Sequence, residues 1–168
     1  MDELLDRLRA AKAGLEATRP AVEAGSPWPL AATFDHSDEA RWGPGEVLAH
    51  VAEMLPYWLG EVERILAGPP EPVAFGRIGT DPVRIAIIGR DRSLPVGELY
   101  VRVDDGVARW SGRLTALTRP QLEKVGLHPT RGEMSVAAIV ERQIIGHMEE
   151  HAEQLERILA APDALDAS

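Results

Sequence analysis

Residues 136–159 read VAAIVERQIIGHMEEHAEQLERIL, a run in which apolar residues return every three or four positions. That spacing places them on one face of an amphipathic helix. Ser135, directly before the run, is a common N-cap residue, and Pro162 after it cannot continue a helix. We therefore predict a long final helix from about Ser135 to Pro162. Its apolar positions are Val136, Ile139, Val140, Ile144, Leu155, Ile158 and Leu159.

The same periodicity occurs in three other segments of the chain. It predicts a first helix over residues 2–18 and a second from Pro44 toward Gly68. Pro56 should kink the second helix, and a third helix starts near Pro95. No segment shows a convincing alternation typical of a half-buried strand. Four long helices without strands predict an all-α four-helix bundle.

Connections rich in proline and glycine separate these helices. Pro20 breaks the apolar pattern after the first helix. Residues 67–92 form a long second connection, in which Asp81 followed by proline can open a short helix that Gly89 ends. Residues 118–133 form the third connection. A connection as long as the second is usually functional or mobile.

The composition predicts one acidic domain without disulfides. The chain has 168 residues, no cysteine and a formal charge of −9. We expect a single domain over residues 1–168, with an acidic C-terminal tail from about residue 161. An acidic surface argues against nucleic acid and membrane partners. Neither a secretory signal nor a membrane span is apparent, so we expect a cytoplasmic protein.

Three histidines fall on the predicted core-facing sides of two helices. His147 and His151 lie four residues apart, so both imidazoles project from one face. His147 is in register with Ile144, and His50 is in register with Val47. Buried imidazole nitrogens need partners, and one shared metal ion would supply them. Three neutral imidazoles suit zinc, nickel, iron or copper and leave a coordination position open. The alternative is that His50 hydrogen-bonds within the core and the other two are half exposed.

Other site templates fit these residues less well. A di-iron bundle needs a glutamate three residues before a ligand histidine, but Val47 and Ile144 stand there. Glu150 before His151 matches an inverted zinc-protease pattern, which would need a further ligand well downstream. We keep Glu150 as a candidate partner of a ligand histidine. His128, predicted in a turn before the last helix, can swing over an open metal position, although a histidine in such a loop is usually exposed.

Four arginines lie in the long second connection: Arg77, Arg84, Arg90 and Arg92. They can hold a carboxylate or a phosphate of a cofactor. Solvated surface charges are the simpler interpretation, which we favour.

Two segments carry a resemblance to a known family. Residues 42–53, WGPGEVLAHVAE, and residues 146–155, GHMEEHAEQL, resemble the entry to helix two and the closing histidine pair of DinB-like four-helix proteins, also described as YfiT-like metal-dependent hydrolases. The resemblance implies that His50, His147 and His151 bind a metal, reported as nickel or zinc across the family. It also implies frequent dimers and an unusual right-handed bundle topology.

The resemblance also suggests an activity. Family members with assigned chemistry are mostly thiol-dependent transferases or isomerases that use mycothiol, bacillithiol or glutathione. Our leading hypothesis is a metal-dependent enzyme that activates a small-molecule thiol or water for transfer or hydrolysis. Without cysteine, the chain would need that thiol from its substrate. The rival hypotheses are a non-catalytic metal-binding or stress-related bundle and a structural interaction protein.

Overall fold

The computed structural model describes residues 2–31, 34 and 39–162 of the chain. The acidic tail predicted from about residue 161 lies almost entirely outside the described residues. Across those ranges no helix is long and apolar enough to cross a membrane. The helices are α1 (Asp2–Ala24), α2 (Pro44–Ala67), α3 (Pro82–Asp91), α4 (Val96–Ala116), α5 (Arg119–Glu123), α6 (Val136–Ile139) and α7 (His147–Ala160), and a π-helical segment, Val140–Gly146, joins α6 to α7. The strands are β1 (Val73–Ala74), β2 (Val125–His128) and β3 (Gly132–Ser135).

Four long helical elements surround the hydrophobic core. They are α1, α2, α4 and the run from α6 through the π-helical segment to α7. The helix α2 packs along α4, and α1 packs against both α7 and α4. Each element contributes an apolar stripe, as amphipathic helices do. Leu8, Val47, Leu99 and Ile144, one from each element, are fully buried. The predicted helical bundle is therefore confirmed.

The first helix is longer than its sequence pattern indicated. We predicted an end near Thr18 because of Pro20, but α1 continues to Ala24 with Pro20 inside it. Pro20 is exposed, so the backbone carbonyl that it leaves without a partner lies toward solvent. Val22, one turn from Thr18, is fully buried, and its carbonyl accepts a hydrogen bond from Trp28 Nε1 at 2.7 Å. Core packing therefore outweighs the cost of the proline.

The entry to α2 is organised by Glu46, whose side chain is fully buried. Its carboxylate accepts hydrogen bonds from the backbone N–H groups of Gly43 at 3.1 Å and Ala31 at 2.9 Å. It also pairs with the Arg92 guanidinium at 3.1 Å. Pro44 occupies the first helical position, as predicted. An N–H group at this position would have no acceptor within the helix, so its absence in proline costs no hydrogen bond. Arg92 is thus a partly buried ion-pair partner of α2 and not the solvated charge that we favoured.

The prediction that the chain has no strands was wrong. The strand β2 pairs in parallel with β1 and antiparallel with β3, which makes a small three-stranded sheet. Strands of two to four residues are too short to show the alternation that identifies a strand in sequence. His128, which we predicted in a turn, is instead the last residue of β2. Gly126 is needed there because an added Cβ would lie 2.6 Å from the ring of Phe75.

The short helix α3 forms where the sequence predicted it. Asp81 Oδ1 accepts a hydrogen bond from the backbone N–H of Arg84 at 2.8 Å and so caps the N-terminus. The helix continues past Gly89 to Asp91. The predicted start was therefore confirmed, whereas the predicted end was two residues short.

The helices α2 and α4 approach closely at one glycine. An added Cβ on Gly106 of α4 would lie 2.9 Å from Leu55 Cβ and 2.8 Å from Leu55 Cδ1. Trp110 Nε1, one turn along α4, donates a hydrogen bond to the backbone carbonyl of Leu55 at 2.9 Å. Pro56 follows with its ring exposed, and α2 runs through it. Gly106 thus serves the contact between the two helices.

This packing predicts that substitution by alanine affects stability in opposite directions at two glycines of α4. Gly106→Ala forces its methyl group into Leu55, whereas the added Cβ of Gly112→Ala meets nothing within 4 Å. Both gain the same helix propensity, so we expect Gly106→Ala to be less stable than Gly112→Ala by about 1–3 kcal/mol. Urea unfolding measures the difference. Equal free energies of unfolding for the two variants would contradict the close approach of α2 and α4.

Candidate metal centre

The structure brings the three predicted histidines together inside the bundle. His50 projects from α2, and His147 and His151 project from the first two turns of α7. His50 and His151 are buried, and His147 is partly buried. One ligand atom from each lies within 4.8 Å of those of the other two. The ring centroids are 5.0–5.3 Å apart in all three pairs. The rings therefore enclose a common point.

A π-helical segment positions the pair on α7. Residues Val140–Gly146 form this wider turn directly before His147. Within this segment Gln143, Ile144 and Ile145 are consecutive and all buried. We predicted an uninterrupted α-helix, so the register from Ile144 to His147 was derived from the wrong helix type. Segments of this kind occur frequently at functional sites.

The nitrogen atoms of His50 and His147 lie at a spacing that suits a shared metal ion. Their Nε2 atoms are 3.2 Å apart. Two ligands of a tetrahedral zinc ion with bonds of about 2.05 Å would be roughly 3.3 Å apart. Arg84 Nη2 is also 3.4 Å from His50 Nε2. His50 Nε2 therefore faces both His147 and a guanidinium.

The tautomer of His151 follows from its neighbour Gln154. The Gln154 amide donates through Nε2 to the backbone carbonyl of Glu39 at 2.7 Å. Its Oε1 therefore faces His151 Nδ1 at 2.9 Å and accepts the proton there. The proton on Nδ1 leaves His151 Nε2 with a free electron pair. This buried Nε2 has no hydrogen-bond partner among the described residues, and neither has His50 Nδ1.

The protonation of all three rings suits metal binding. Burial, followed by the neighbouring His151, lowers the pKa of His50 well below its usual value. Burial likewise lowers the pKa of His147, and burial together with His147 lowers the pKa of His151 to about 4. All three imidazoles are therefore neutral near pH 7, which is the form that coordinates a metal. The orphaned nitrogen and the neutral donor set fit a divalent transition metal ion.

A cavity of about 360 Å³ opens beside the histidines. Among the side chains that line it are His50, His147, His128, Gln143, Arg77, Arg84 and Arg131. The volume suits a small molecule. The cavity therefore gives such a molecule access to the histidine cluster.

Two of the arginines that we interpreted as surface charges are instead buried beside this cavity. The Arg84 side chain is 6% exposed and pairs with Glu39 at 2.6 Å. The Arg77 side chain is 10% exposed and pairs with Glu53 at 2.5 Å. Arg90, in contrast, is 70% exposed, as predicted. Both buried arginines have carboxylate partners from other parts of the chain, and sequence spacing does not reveal such pairs.

His128 lies beside the cavity but outside the histidine cluster. It is buried in β2. The interpretation of His128 as an exposed loop residue was therefore wrong. Its ring stacks on Trp58 at 6.3 Å between centroids, and its Nδ1 accepts from the Thr130 N–H at 3.3 Å. Burial, followed by the charge of Arg131, lowers the pKa of His128. It is therefore a cavity wall residue.

Glu150 lies near His147 and faces solvent. Its Oε2 is 3.7 Å from His147 Nδ1, and its side chain is 75% exposed. That separation is longer than a hydrogen bond. Gln154 and Glu39, which the sequence did not identify, hold His151 more directly. The only sequence signal for Gln154 is its position three residues after His151 on the same helix face.

Comparisons with known proteins agree with this architecture. A family model for the DinB superfamily matches residues 1–155. Among solved structures, YfiT from Bacillus subtilis matches with a TM-score of 0.67 and 16% sequence identity, covering 95% of this chain and 87% of that chain. YfiT is described as "a probable metal-dependent hydrolase with an unusual four-helix bundle topology". No curated protein matches the chain. At this identity the likeness to YfiT shows the fold, which confirms the predicted four-helix bundle.

The contacts of Gln154 predict an effect on zinc affinity. Gln154→Leu removes the oxygen that accepts from His151 Nδ1–H, so the ring loses its fixed tautomer and orientation. We expect zinc affinity to fall about 10–100-fold in a competition titration with a chelating dye. Gln154→Glu is the comparison: it retains an oxygen acceptor for Nδ1–H but loses the donor to the Glu39 carbonyl, so its zinc affinity should lie between those of Gln154→Leu and the unchanged chain. Equal affinities for Gln154→Leu and the unchanged chain would exclude this role.

Proposed function

The chain belongs to the DinB superfamily, and on that premise we propose that His50, His147 and His151 bind one divalent transition metal ion in a metal-dependent enzyme acting on a small molecule. The observation that carries the proposal is the buried cluster of three imidazoles, with ligand atoms within 4.8 Å, beside a cavity of about 360 Å³. The fold is similar to that of YfiT, which is described as a "probable metal-dependent hydrolase", and this similarity supports the proposal.

Zinc or nickel is the ion that we propose. Three neutral imidazoles suit both, and three protein ligands leave a coordination position for another molecule. When bound, such an ion lowers the pKa of a coordinated thiol or water and so supplies a nucleophile at neutral pH. Because the chain has no cysteine, the thiol in this reaction comes from a small molecule. Transfer of a thiol to an electrophile and hydrolysis are the two reaction types that follow.

The residues around the histidines keep the cluster in one geometry. Gln154 fixes the tautomer of His151. The Arg84 guanidinium, 3.4 Å from His50 Nε2, brings a positive charge to the cavity and is held by Glu39. That charge favours an anionic nucleophile at the same place. Ile78 and Trp58 provide apolar wall beside these groups.

Metal content tests the ligand assignment directly. Protein purified without an affinity tag should contain about one zinc or nickel ion per chain by elemental analysis. His147→Ala should lose most of this metal, since it removes one of three ligands. His128→Ala, the same substitution in the wall of the same cavity, should retain it. Equal metal content in His147→Ala and the unchanged chain would rule out the assignment of His147.

Turnover tests whether the site is catalytic. The zinc-loaded or nickel-loaded protein should accelerate the reaction of 2-mercaptoethanol with 1-chloro-2,4-dinitrobenzene, followed by absorbance, relative to the chelated protein. His147→Ala should react at the rate of the chelated protein, and Arg142→Gln, an exposed change outside the cavity, should keep the full rate. A holoprotein that binds metal but never exceeds the uncatalysed rates of thiol transfer and ester hydrolysis would favour non-catalytic metal binding.

A further inference from the structure

Gln143 lines the cavity beside the histidines and has an unused hydrogen-bond donor. It lies in the π-helical segment, four residues before His147, and is only 5% exposed. Among the described residues, its Nε2 has no hydrogen-bond partner. A buried amide donor without a partner destabilises a fold unless a ligand accepts from it. The side chain is therefore a candidate for binding an oxygen atom of the molecule in the cavity.

Arg131 supplies a positive charge to the same cavity that no carboxylate of the described residues balances. Of the three arginines in its wall, Arg84 pairs with Glu39 and Arg77 pairs with Glu53. Arg131 is exposed in the hairpin between β2 and β3 and forms no ion pair with any described residue. Its guanidinium therefore remains available to an anion.

The charge of Arg131 reaches the histidine side of the cavity. After burial, it is the largest cause that lowers the pKa of His128. Gln143 and Arg131 line the same cavity as His128 and His147.

We propose that Gln143 and Arg131 bind a carboxylate of the small molecule that enters this cavity, an inference that rests on the proposed metal-dependent function. The guanidinium offers parallel N–H donors that match the two carboxylate oxygens, and the buried amide adds a neutral donor. A carboxylate carries one negative charge, equal in size to the charge of Arg131, which pairs with no described carboxylate.

The substrate class that follows is a small thiol that also carries a carboxylate. A cationic amine is disfavoured because the cavity carries an unbalanced positive charge. A neutral alcohol can bond to Gln143 but gains no ion pair from Arg131. The carboxylate is therefore a specificity group, held apart from the atom that reacts near His50 and His147.

Two thiols of equal length test the carboxylate preference. They are 3-mercaptopropionate, which has a carboxylate, and 3-mercapto-1-propanol, which has a hydroxyl group instead. Each is titrated into the cobalt-loaded protein, and the sulfur-to-cobalt absorption band reports binding without any turnover. We expect the acid to bind at least about tenfold more tightly, as hydrogen bonds to a charged group suggest.

Variants of the two residues assign the preference to them. Arg131→Gln and Gln143→Met should each remove most of the difference between the two thiols, and Arg131→Lys should retain part of it. Arg142→Gln makes the same charge change next to Gln143 but outside the cavity wall, and it should keep the full difference. A preference that persists unchanged in both Arg131→Gln and Gln143→Met would overturn the assignment.

The outcomes separate this inference from the proposed function. If both thiols change the cobalt spectrum with equal affinity, the metal site stands and the carboxylate preference is wrong. If no cobalt binds, the proposed function fails and the inference fails with it. If cobalt binds but neither thiol changes its spectrum, the metal site stands, while thiol activation and the carboxylate preference are both wrong. If inorganic phosphate displaces 3-mercaptopropionate at lower concentration than acetate does, the pair selects phosphate and the carboxylate assignment is wrong.

Discussion

The packing of three imidazoles at the contact between α2 and α7 constrains the whole bundle. His50 Nε2 and His147 Nε2 are 3.2 Å apart, so the two helices must lie side by side at this level. Each ring also needs partners for its nitrogens inside a poorly hydrated core. Gln154 satisfies one nitrogen of His151, while the other has no partner among the described residues. The packing of α2 against α7 and the chemistry of the site therefore depend on the same histidine side chains.

Buried ion pairs attach the irregular parts of the chain to α2. Glu46 holds Arg92, and Glu53 holds Arg77, so both ends of the connection around α3 are fastened to the same helix. Such pairs add little net stability, because desolvation offsets most of their attraction. Breaking one of them is costly, since the remaining charge stays buried. Their effect is to specify a single path for the segment that covers the cavity.

Sequence patterns predicted the features that depend on local spacing. Apolar periodicity identified the four long helices, Asp81 marked the start of α3, and the four-residue interval between His147 and His151 identified the pair on one helix face. The strands β1 to β3 were missed because two to four residues carry no periodic signal. The burial of Arg84 was missed because its partner, Glu39, lies 45 residues away. Long-range pairing of charges leaves no trace in a single sequence.

Because of the π-helical segment, the cavity wall at Gln143 and the histidines of α7 can change independently of each other between related proteins. A wider turn of this kind corresponds to one residue added to an α-helix, and each residue of an α-helix turns the chain by about 100°. Loss of that residue in a related gene would rotate the part of the helix before Gly146 against the part that carries His147 and His151. A different side chain would then replace Gln143 in the cavity wall, while both histidines kept their places. Changes in chain length at this one position can therefore alter what the cavity accepts without disturbing its histidines.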